Sequence, residues 1–389
     1  MQSYAVNGML SMLLGTAGGR GRSTLSGGGE AKRGARSLGS TRIVTMRDIA
    51  EAAGVSQSTV SRVLSGAESA IPIAPATRAR VMAVSGRLGY RPNPLARGLR
   101  GASTMLLGVI VREITDPFFA GAIDAISVEA RARGYNVVLG HAHGRADEAI
   151  ALRAVLETRH VDAIMLLGDT SEQPRLLEDL RETHVPVVAL WQGTALPHIA
   201  SVNVDNRAGV IAALDHLWDL GHRDVAFIAG RSLGDIHERQ AAFVDYLTQR
   251  GIRLPDGYIQ YAPNDPAEAA IALARLMSLP RPPTAVVAST DVQAIGALHG
   301  AYREGRRVPE DVSIVGFDDI SLSSCTVPAL TTIRMPLGEM VASAIRFVLD
   351  EDGASVAEAE LALVLRPSLV VRGSSGPVPG RRGGEGAAR

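Results

Sequence analysis

Hydrophobic and polar positions follow two different rules along the chain. From Thr45 to about Tyr90 apolar residues recur at helical spacing, with Ile49, Ala50 and Ala53 on one face, Val60, Val63 and Leu64 on a second, and Val81, Val84 and Leu88 on a third. Thr45-Met-Arg-Asp48 ahead of the first stripe reads as a capping box: the Thr45 hydroxyl accepts from first-turn amides and the Asp48 carboxylate reaches back. Gly54 ends that helix, Ser56 stands where it caps a second, and Pro75 suits the first turn of a third.

From Met105 the texture changes. Short apolar runs at Leu106–Val111, Val137–Leu139, Ala163–Leu167, Val185–Leu190, Val225–Ala229, Ala285–Ala288 and Ser313–Gly316 alternate with amphipathic stretches. The latter lie near 118–133, 147–159, 173–183, 207–220, 237–250, 266–278, 292–304 and 337–350. Nearly continuous apolar strands between helices imply parallel sheets covered on both faces, and the span is generous for one sheet, so two similar lobes are expected. The predicted fold class is thus a small all-α headpiece followed by a two-lobed α/β domain. Residues 1–44 and 373–389 are Gly- and Arg-rich without a sustained period and read as disordered tails, the first an extension ahead of Met46.

Charge sharpens the division. The 389 residues carry 40 basic and 40 acidic side chains, and a zero sum ordinarily counts against a nucleic-acid protein. Counted by segment, residues 1–44 and 45–101 each carry +5, residues 102–372 carry −12, and the remaining tail +2. A basic helical module therefore precedes a large acidic one. A single cysteine, Cys325, excludes a disulfide framework and a Cys-based zinc cluster. No apolar run is long enough for a membrane span, and Met9–Leu14 lacks a preceding basic residue, so the expectation is a cytoplasmic protein without a membrane partner.

The most informative stretch is Arg47-Asp-Ile-Ala-Glu-Ala-Ala-Gly-Val-Ser-Gln-Ser-Thr-Val-Ser-Arg-Val-Leu64. Small Ala50 permits close helix approach, Gly54 makes the turn, and Val55 and Val60 lock the pair. Such a helix-turn-helix presents the start of its second helix to a DNA major groove. Gln57 and Ser58 are expected to reach base edges, Thr59 and Ser61 to hydrogen-bond phosphate or base, and Arg62 to grip a guanine or a phosphate. Thr45 and Ser56, at the two helix starts, belong to the same DNA-binding set. The competing reading is a small bundle with a solvated polar face. Downstream, Arg91-Pro-Asn-Pro-Leu-Ala-Arg-Gly-Leu-Arg100 joins the modules. Asn93 suits an N-cap and Pro94 a first helical turn, but so short a helix is unstable alone and Gly98 weakens it further. A plain linker is the alternative.

The stretch Thr45–Asn93 resembles the DNA-binding headpiece of LacI-type bacterial transcription regulators, the group that includes lac- and purine-repressor-like proteins. Leu-Gly-Tyr-Arg-Pro-Asn-Pro-Leu-Ala-Arg-Gly-Leu, Asp-Pro-Phe-Phe, Val-Asp-Asn-Arg-Ala-Gly, Val-Pro-Glu-Asp-Val-Ser-Ile-Val-Gly-Phe-Asp-Asp and Pro-Ala-Leu-Thr-Thr-Ile-Arg continue the resemblance to about Gly373. It implies a helix-turn-helix domain at 45–92, a hinge at 93–101, and at 102–372 an effector-binding and dimerisation domain similar to periplasmic sugar-binding proteins. It further implies that the hinge, including Asn93, Leu99 and Arg100, orders on DNA, with Leu99 wedged into the minor groove. The expected partners are a near-palindromic double-stranded operator, a second copy of the chain, and a small-molecule effector of carbohydrate type. No cofactor is expected. The loop after Gly66 is a few residues longer than the family pattern, which leaves its DNA contacts open.

In the acidic module Phe118 and Phe119 follow Asp116-Pro117, where Asp116 caps a helix and the rings offer an apolar wall. The resemblance assigns ligand contacts to Arg239 and Asp291, and reads Asp318 as structural or hinge-linked. Where many relatives carry Asp-Arg, this chain has Trp191-Gln192, suggesting ring stacking by Trp191 and a neutral contact from Gln192. Cys325 reads as a packing residue and His222 as a cap.

Enzyme readings are weak. Lys32 is the only lysine, so a P-loop is absent. Gly230-Arg-Ser-Leu-Gly234 matches a nucleophile-elbow pattern, but the helix begins too late behind Ser232. His141 and His143, with Asp147 and Glu148, read as a solvated loop rather than a metal site. The other class considered is a solute receptor without DNA function, against which the basic headpiece argues.

Overall fold

A computed structural model describes residues 44–65, 72–90, 103–141, 161–169, 185–191, 199–230, 234–349 and 362–379. The hinge residues Asn93, Leu99 and Arg100, together with Gln192, Ser232, His143 and the segments 1–44, 147–159 and 173–183 apart from Val44, lie outside them. The chain divides into two units, one up to Arg91 and one from Pro92.

Among its described residues the first unit holds three helices, α1 (Met46–Ala53), α2 (Gln57–Ser65) and α3 (Pro75–Leu88). The capping box at α1 is complete, with Thr45 N donating to Asp48 Oδ2 at 2.7 Å and Asp48 N to Thr45 Oγ1 at 3.4 Å. Gly54 adopts φ 64°, a left-handed conformation that glycine takes without strain, and its amide closes α1 on Ala50 and Glu51 carbonyls. Ser56 Oγ accepts from Thr59 N at 3.1 Å, the N-cap expected for α2. Ile49, Ala50, Ala53, Val60, Val63, Val81 and Val84 form a small closed core, which fixes α2 against α1 and turns its polar side outward.

Among its described residues the second unit contains two six-stranded sheets. The N-lobe sheet has the order β11-β5-β4-β3-β1-β2, from β1 (Leu106–Val111), β2 (Asn136–His141), β3 (Ala163–Leu167), β4 (Val187–Leu190), β5 (Ala200–Val204) and β11 (Ala362–Leu365). All its pairings are parallel. The C-lobe sheet has the order β12-β10-β9-β8-β6-β7, from β6 (Val225–Ala229), β7 (Ile259–Tyr261), β8 (Ala285–Ala288), β9 (Ser313–Asp318), β10 (Thr331–Arg334) and β12 (Ser368–Val370). It is parallel except for β12, which runs antiparallel to β10.

Helices α4 (Pro117–Ala132) and α9 (Leu337–Leu349) pack together on the N-lobe. Helices α5 (Asn206–Asp219), α6 (Asp235–Gln249), α7 (Pro266–Met277) and α8 (Asp291–Arg303) cover the C-lobe. The chain passes between lobes after β5, β10 and β11, so three connections link them. The central strands β3, β6 and β8 are buried at every position, as their unbroken apolar runs demand.

Three expectations are corrected. Residues 373–378, read as the start of a disordered tail, are tied to the C-lobe. Ser374 Oγ donates to the Ile314 carbonyl at 2.6 Å, and the Val378 amide donates to Leu220 at 3.0 Å. His222, read as a cap, is fully buried and donates Nε2–H to the Gly376 carbonyl at 2.9 Å, while Nδ1 lies 2.9 Å from Thr284 Oγ1. Gly and Pro content suggested a tail because hydrogen bonds of this kind leave no compositional trace. Cys325, read as a packing residue, is exposed on the turn after Ser321–Ser324.

Candidate functional site

Parallel strands and right-handed crossovers leave their ligand crevice at the carboxyl ends of the strands. In the second unit a cavity of about 210 Å³ opens there, between the lobes. The N-lobe contributes Arg112, Asp116, Phe118, Phe119, Gly168, Asp169 and Trp191; the C-lobe contributes Asp235, Arg239, Asn264, Ser289, Thr290, Gln293 and Asp318 among others.

The two walls differ in kind. On the N-lobe side Phe118, Phe119 and Trp191 form an edge-to-face cluster, with ring centroids 4.9 Å apart for Phe118 and Trp191, and 5.4 Å for Phe118 and Phe119. Trp191 is only 3% exposed and adopts φ 58°, so it supports the cluster instead of offering an open face, and half-buried Phe118 is the more accessible ring. Among the described residues Trp191 Nε1 is buried without a hydrogen-bond partner, a costly arrangement in a core.

The C-lobe wall is built on Arg239, which the first turns of α6 bring under the cleft. Its Nη1 donates to the Ser289 carbonyl at 2.6 Å and to Asp318 Oδ1 at 3.2 Å; its Nε donates to Asn206 Oδ1 at 2.8 Å. Asp235, one turn earlier, lies 3.9 Å from Nη2, and the guanidinium rests 3.7 Å from the Phe317 ring centroid. Asn206 closes the network by donating to Asp235 at 3.1 Å and Glu238 at 2.7 Å. Burial pushes the carboxyls of Asp116, Asp235 and Glu238 above the usual range, and that of Asp318 well above it, against the opposing pull of Arg239.

Arg239, Phe118, Phe119 and Trp191 are therefore brought together as the sequence suggested. Asp291 is not. It is fully buried behind the cavity, where Oδ2 accepts from Ser323 Oγ at 2.6 Å and Ile320 N at 3.0 Å, and Oδ1 accepts from Thr332 Oγ1 at 2.5 Å. Its carboxylate would collide with any Cβ at position 316, which is why that strand position is glycine. Of these two acids it is Asp318, at the end of β9 with φ 122°, that lines the cavity. Asp235 and Asn264 were missed. Asp235 had a signal, its i,i+4 spacing from Arg239; Asn264 sits in a loop and had none.

In the first unit, Ser56, Gln57 and Ser58 are exposed at the start of α2, and Thr59, Ser61 and Arg62 are half-buried beside them. Ser56 Oγ lies 2.8 Å from both Ser58 Oγ and Thr59 Oγ1. Gln57, fully outward, is free of the helix core, as a base-reading side chain must be.

Comparison with known proteins agrees with this architecture. The family described as bacterial regulatory proteins, lacI family, matches residues 45–93, and the periplasmic binding protein-like domain matches residues 214–375. The HTH-type transcriptional repressor CytR of Escherichia coli (strain K12) is 34% identical over 338 residues, covering 86% of this chain and 97% of that protein. The chain belongs to the lacI family of bacterial regulatory proteins. Catabolite control protein A of Priestia megaterium is 33% identical over 308 residues, 78% of this chain and 91% of its own length. Among solved structures, the lac repressor dimer bound to operator and the anti-inducer ONPF superposes with a TM-score of 0.74 at 27% identity, covering 86% of this chain and 99% of that one. The cellobiose complex of the transcriptional regulator CelR gives 0.63 at 29% identity, covering 85% and 100%. As a lacI-family member the chain is a DNA-binding transcriptional regulator with a small-molecule effector domain, not an enzyme.

Proposed function

We propose that this regulator is a homodimeric cytoplasmic repressor that holds a near-palindromic operator through two headpieces and changes its grip when a carbohydrate-type effector fills the cleft. The observation that carries the reading is the pairing, in one chain, of an outward polar α2 start with a two-walled cavity between lobes. Gln57 and Ser58 are assigned to base edges, with Thr45, Ser56, Thr59, Ser61 and Arg62 toward phosphates or bases. Phe118, Phe119, Trp191, Gln192 and Arg239 are assigned to the effector, joined by Asp318 and Asn264, while Asp291 is assigned a structural place behind them.

A ligand touching both walls stabilises the approach of the lobes, and its differential affinity for the two arrangements is the coupling free energy that reaches the DNA. The hinge set Asn93, Leu99 and Arg100 is proposed from sequence as the element that order on the operator completes, Leu99 being the wedge. A near relative crystallised as a dimer on operator, and another with cellobiose, support these assignments. Leu99→Ala is expected to weaken operator binding while leaving effector binding and dimerisation intact. Unchanged operator affinity in a mobility-shift titration contradicts the wedge.

A further inference from the structure

At the end of the C-lobe sheet away from the cleft lies a second cavity, of about 280 Å³. We propose that it binds an organic phosphate, that is, a phosphate or diphosphate group carried on an apolar or planar body. The proposal rests on neither effector control nor operator binding.

The residues that stand just ahead of the strands fix its place in the fold. Asp224 precedes β6, whose first residue Val225 also lines the cavity, Tyr258 precedes β7, and Arg281 lies ahead of β8. The cleft takes the carboxyl ends of the same strands, so the length of β6, roughly 15 Å, separates the two cavities. Helix α5 reaches this end of the lobe at Trp218 and α6 at Arg250, its C-cap.

Four arginines from three stretches of chain, Arg223, Arg250, Arg253 and Arg281, line this cavity against one carboxylate, Asp224. They do so inside a segment, 102–372, whose net charge is −12. Structural duties account for part of the set. Arg281 pairs with Asp224 at 2.7 Å, and Arg250 pairs with Asp215 at 3.1 Å while lying over the Tyr246 ring. Arg223 gives Nη1 to the carbonyls of Trp218, at 2.9 Å, and His222, at 2.8 Å, answering the negative end of α5. Its Nε and Nη2 form no hydrogen bond among the described residues, and Arg253 forms neither hydrogen bond nor ion pair among them. Beside the two pairs, two cations thus have no carboxylate partner. A phosphate monoester carries about −1.5 to −2 at pH 7, and guanidinium forks hold it through paired N–H groups. A single carboxylate would leave the second cation unanswered.

The rest of the lining asks for more than an inorganic ion. Leu247, Ile252 and Leu254 give the cavity an apolar side, and Tyr258 is buried with its hydroxyl already donating to the Arg281 carbonyl at 2.9 Å. Half-buried Trp218 carries the Arg223 guanidinium 3.8 Å from its ring centroid, a cation over an aromatic face that a planar group can extend. Phosphate alone leaves this apolar surface in water, whereas an attached apolar or planar body covers it.

The test is calorimetric titration of the full chain with ADP, glucose 6-phosphate and pyrophosphate, beside adenosine, glucose and sodium chloride at matched ionic strength. It is repeated with Arg253→Glu, a change at an exposed position, and with Arg253→Ala should thermal melting show the reversal to be unfolded. At least one of the two esters is expected to bind the wild type, more tightly than pyrophosphate, and to lose at least tenfold in affinity in the variant. Adenosine and glucose are expected to behave alike in both proteins. Neither ester binding beyond the salt control overturns the proposal. Equal ester affinity in wild type and variant overturns it too, since the binding then lies in the headpiece or the cleft. Pyrophosphate binding as tightly as the esters removes the part given to the apolar lining, and the proposal with it.

Discussion

Asn264 of the C-lobe donates its side-chain amide to Asp116 Oδ2 of the N-lobe at 2.8 Å, across the mouth of the cleft. The same Asn264 accepts from Thr290 Oγ1 at 2.6 Å, and Thr290 caps α8 while Asp116 caps α4. Two helix starts on opposite lobes are thus joined through one loop residue. Gln293 holds that loop, giving its amide to the Ala262 carbonyl at 2.9 Å. Asn264→Ala is expected to leave the fold intact and to weaken lobe closure by about 1 kcal/mol, roughly fivefold in effector affinity. Calorimetric titration reads the affinity, and a Kd equal to wild type means the bridge does not help closure.

Arg239 and Asp291 are both buried and polar but are expected to fail differently. Arg239→Ala leaves Asp318 and Asp235 without their cation and costs about 3 kcal/mol, with effector binding lost. Asp291→Ala removes an acceptor of three internal hydrogen bonds and costs a similar amount, yet the folded fraction retains effector affinity. Urea denaturation paired with ligand titration separates the two; loss of binding in fully folded Asp291→Ala returns that residue to the ligand set.

Gln57 heads α2 with no packing role, so Gln57→Ala is expected to keep headpiece stability within about 0.5 kcal/mol while relaxing discrimination at one base pair by about 1–3 kcal/mol. Fluorescence anisotropy on operators varied one position at a time shows which. A uniform loss across all positions makes Gln57 a phosphate contact instead.

His222 anchors the segment around Gly376 as a neutral ring. Burial, with Arg223 and His216 nearby, lowers its pKa below the ordinary value of 6.5. An imidazole held neutral contributes stability that is present above pH 6.5 and is lost as pH falls through the folded-state value. The raised carboxyls around the cleft act with the opposite sign, so a global melting temperature mixes the two. Hydrogen exchange at Ser374–Val378, corrected for intrinsic rate, is expected to speed up between pH 7.5 and about 5. Unchanged protection there contradicts the anchor.

What the sequence made legible follows from physics. β1, β3, β6 and β8 were readable to the residue, because strands buried on both faces are unbroken apolar runs. β5 carries Ser201 and Asn203, and β10 opens on two threonines, so neither looks like a run although both are largely buried. β7, β11 and β12 are short edge or crossing strands whose pairing depends on distant partners. In the headpiece, caps and turn were local and all were readable. In the cleft, Arg239 and the aromatic wall were readable, but not which of two strand-end acids lines the cavity. That depends on the left-handed turn at Asp318, which only the folded backbone displays.

The most direct test is operator affinity with and without effector on one DNA fragment. A site selected from the organism's genomic fragments by the full chain is titrated by anisotropy at several salt concentrations, alone and with a neutral ligand found by thermal shift. The account predicts sequence-selective binding whose Kd changes at least fivefold on adding the ligand in the wild type and not in Arg239→Ala. Equal affinity for selected and random DNA, or the same ligand response in both proteins, contradicts it.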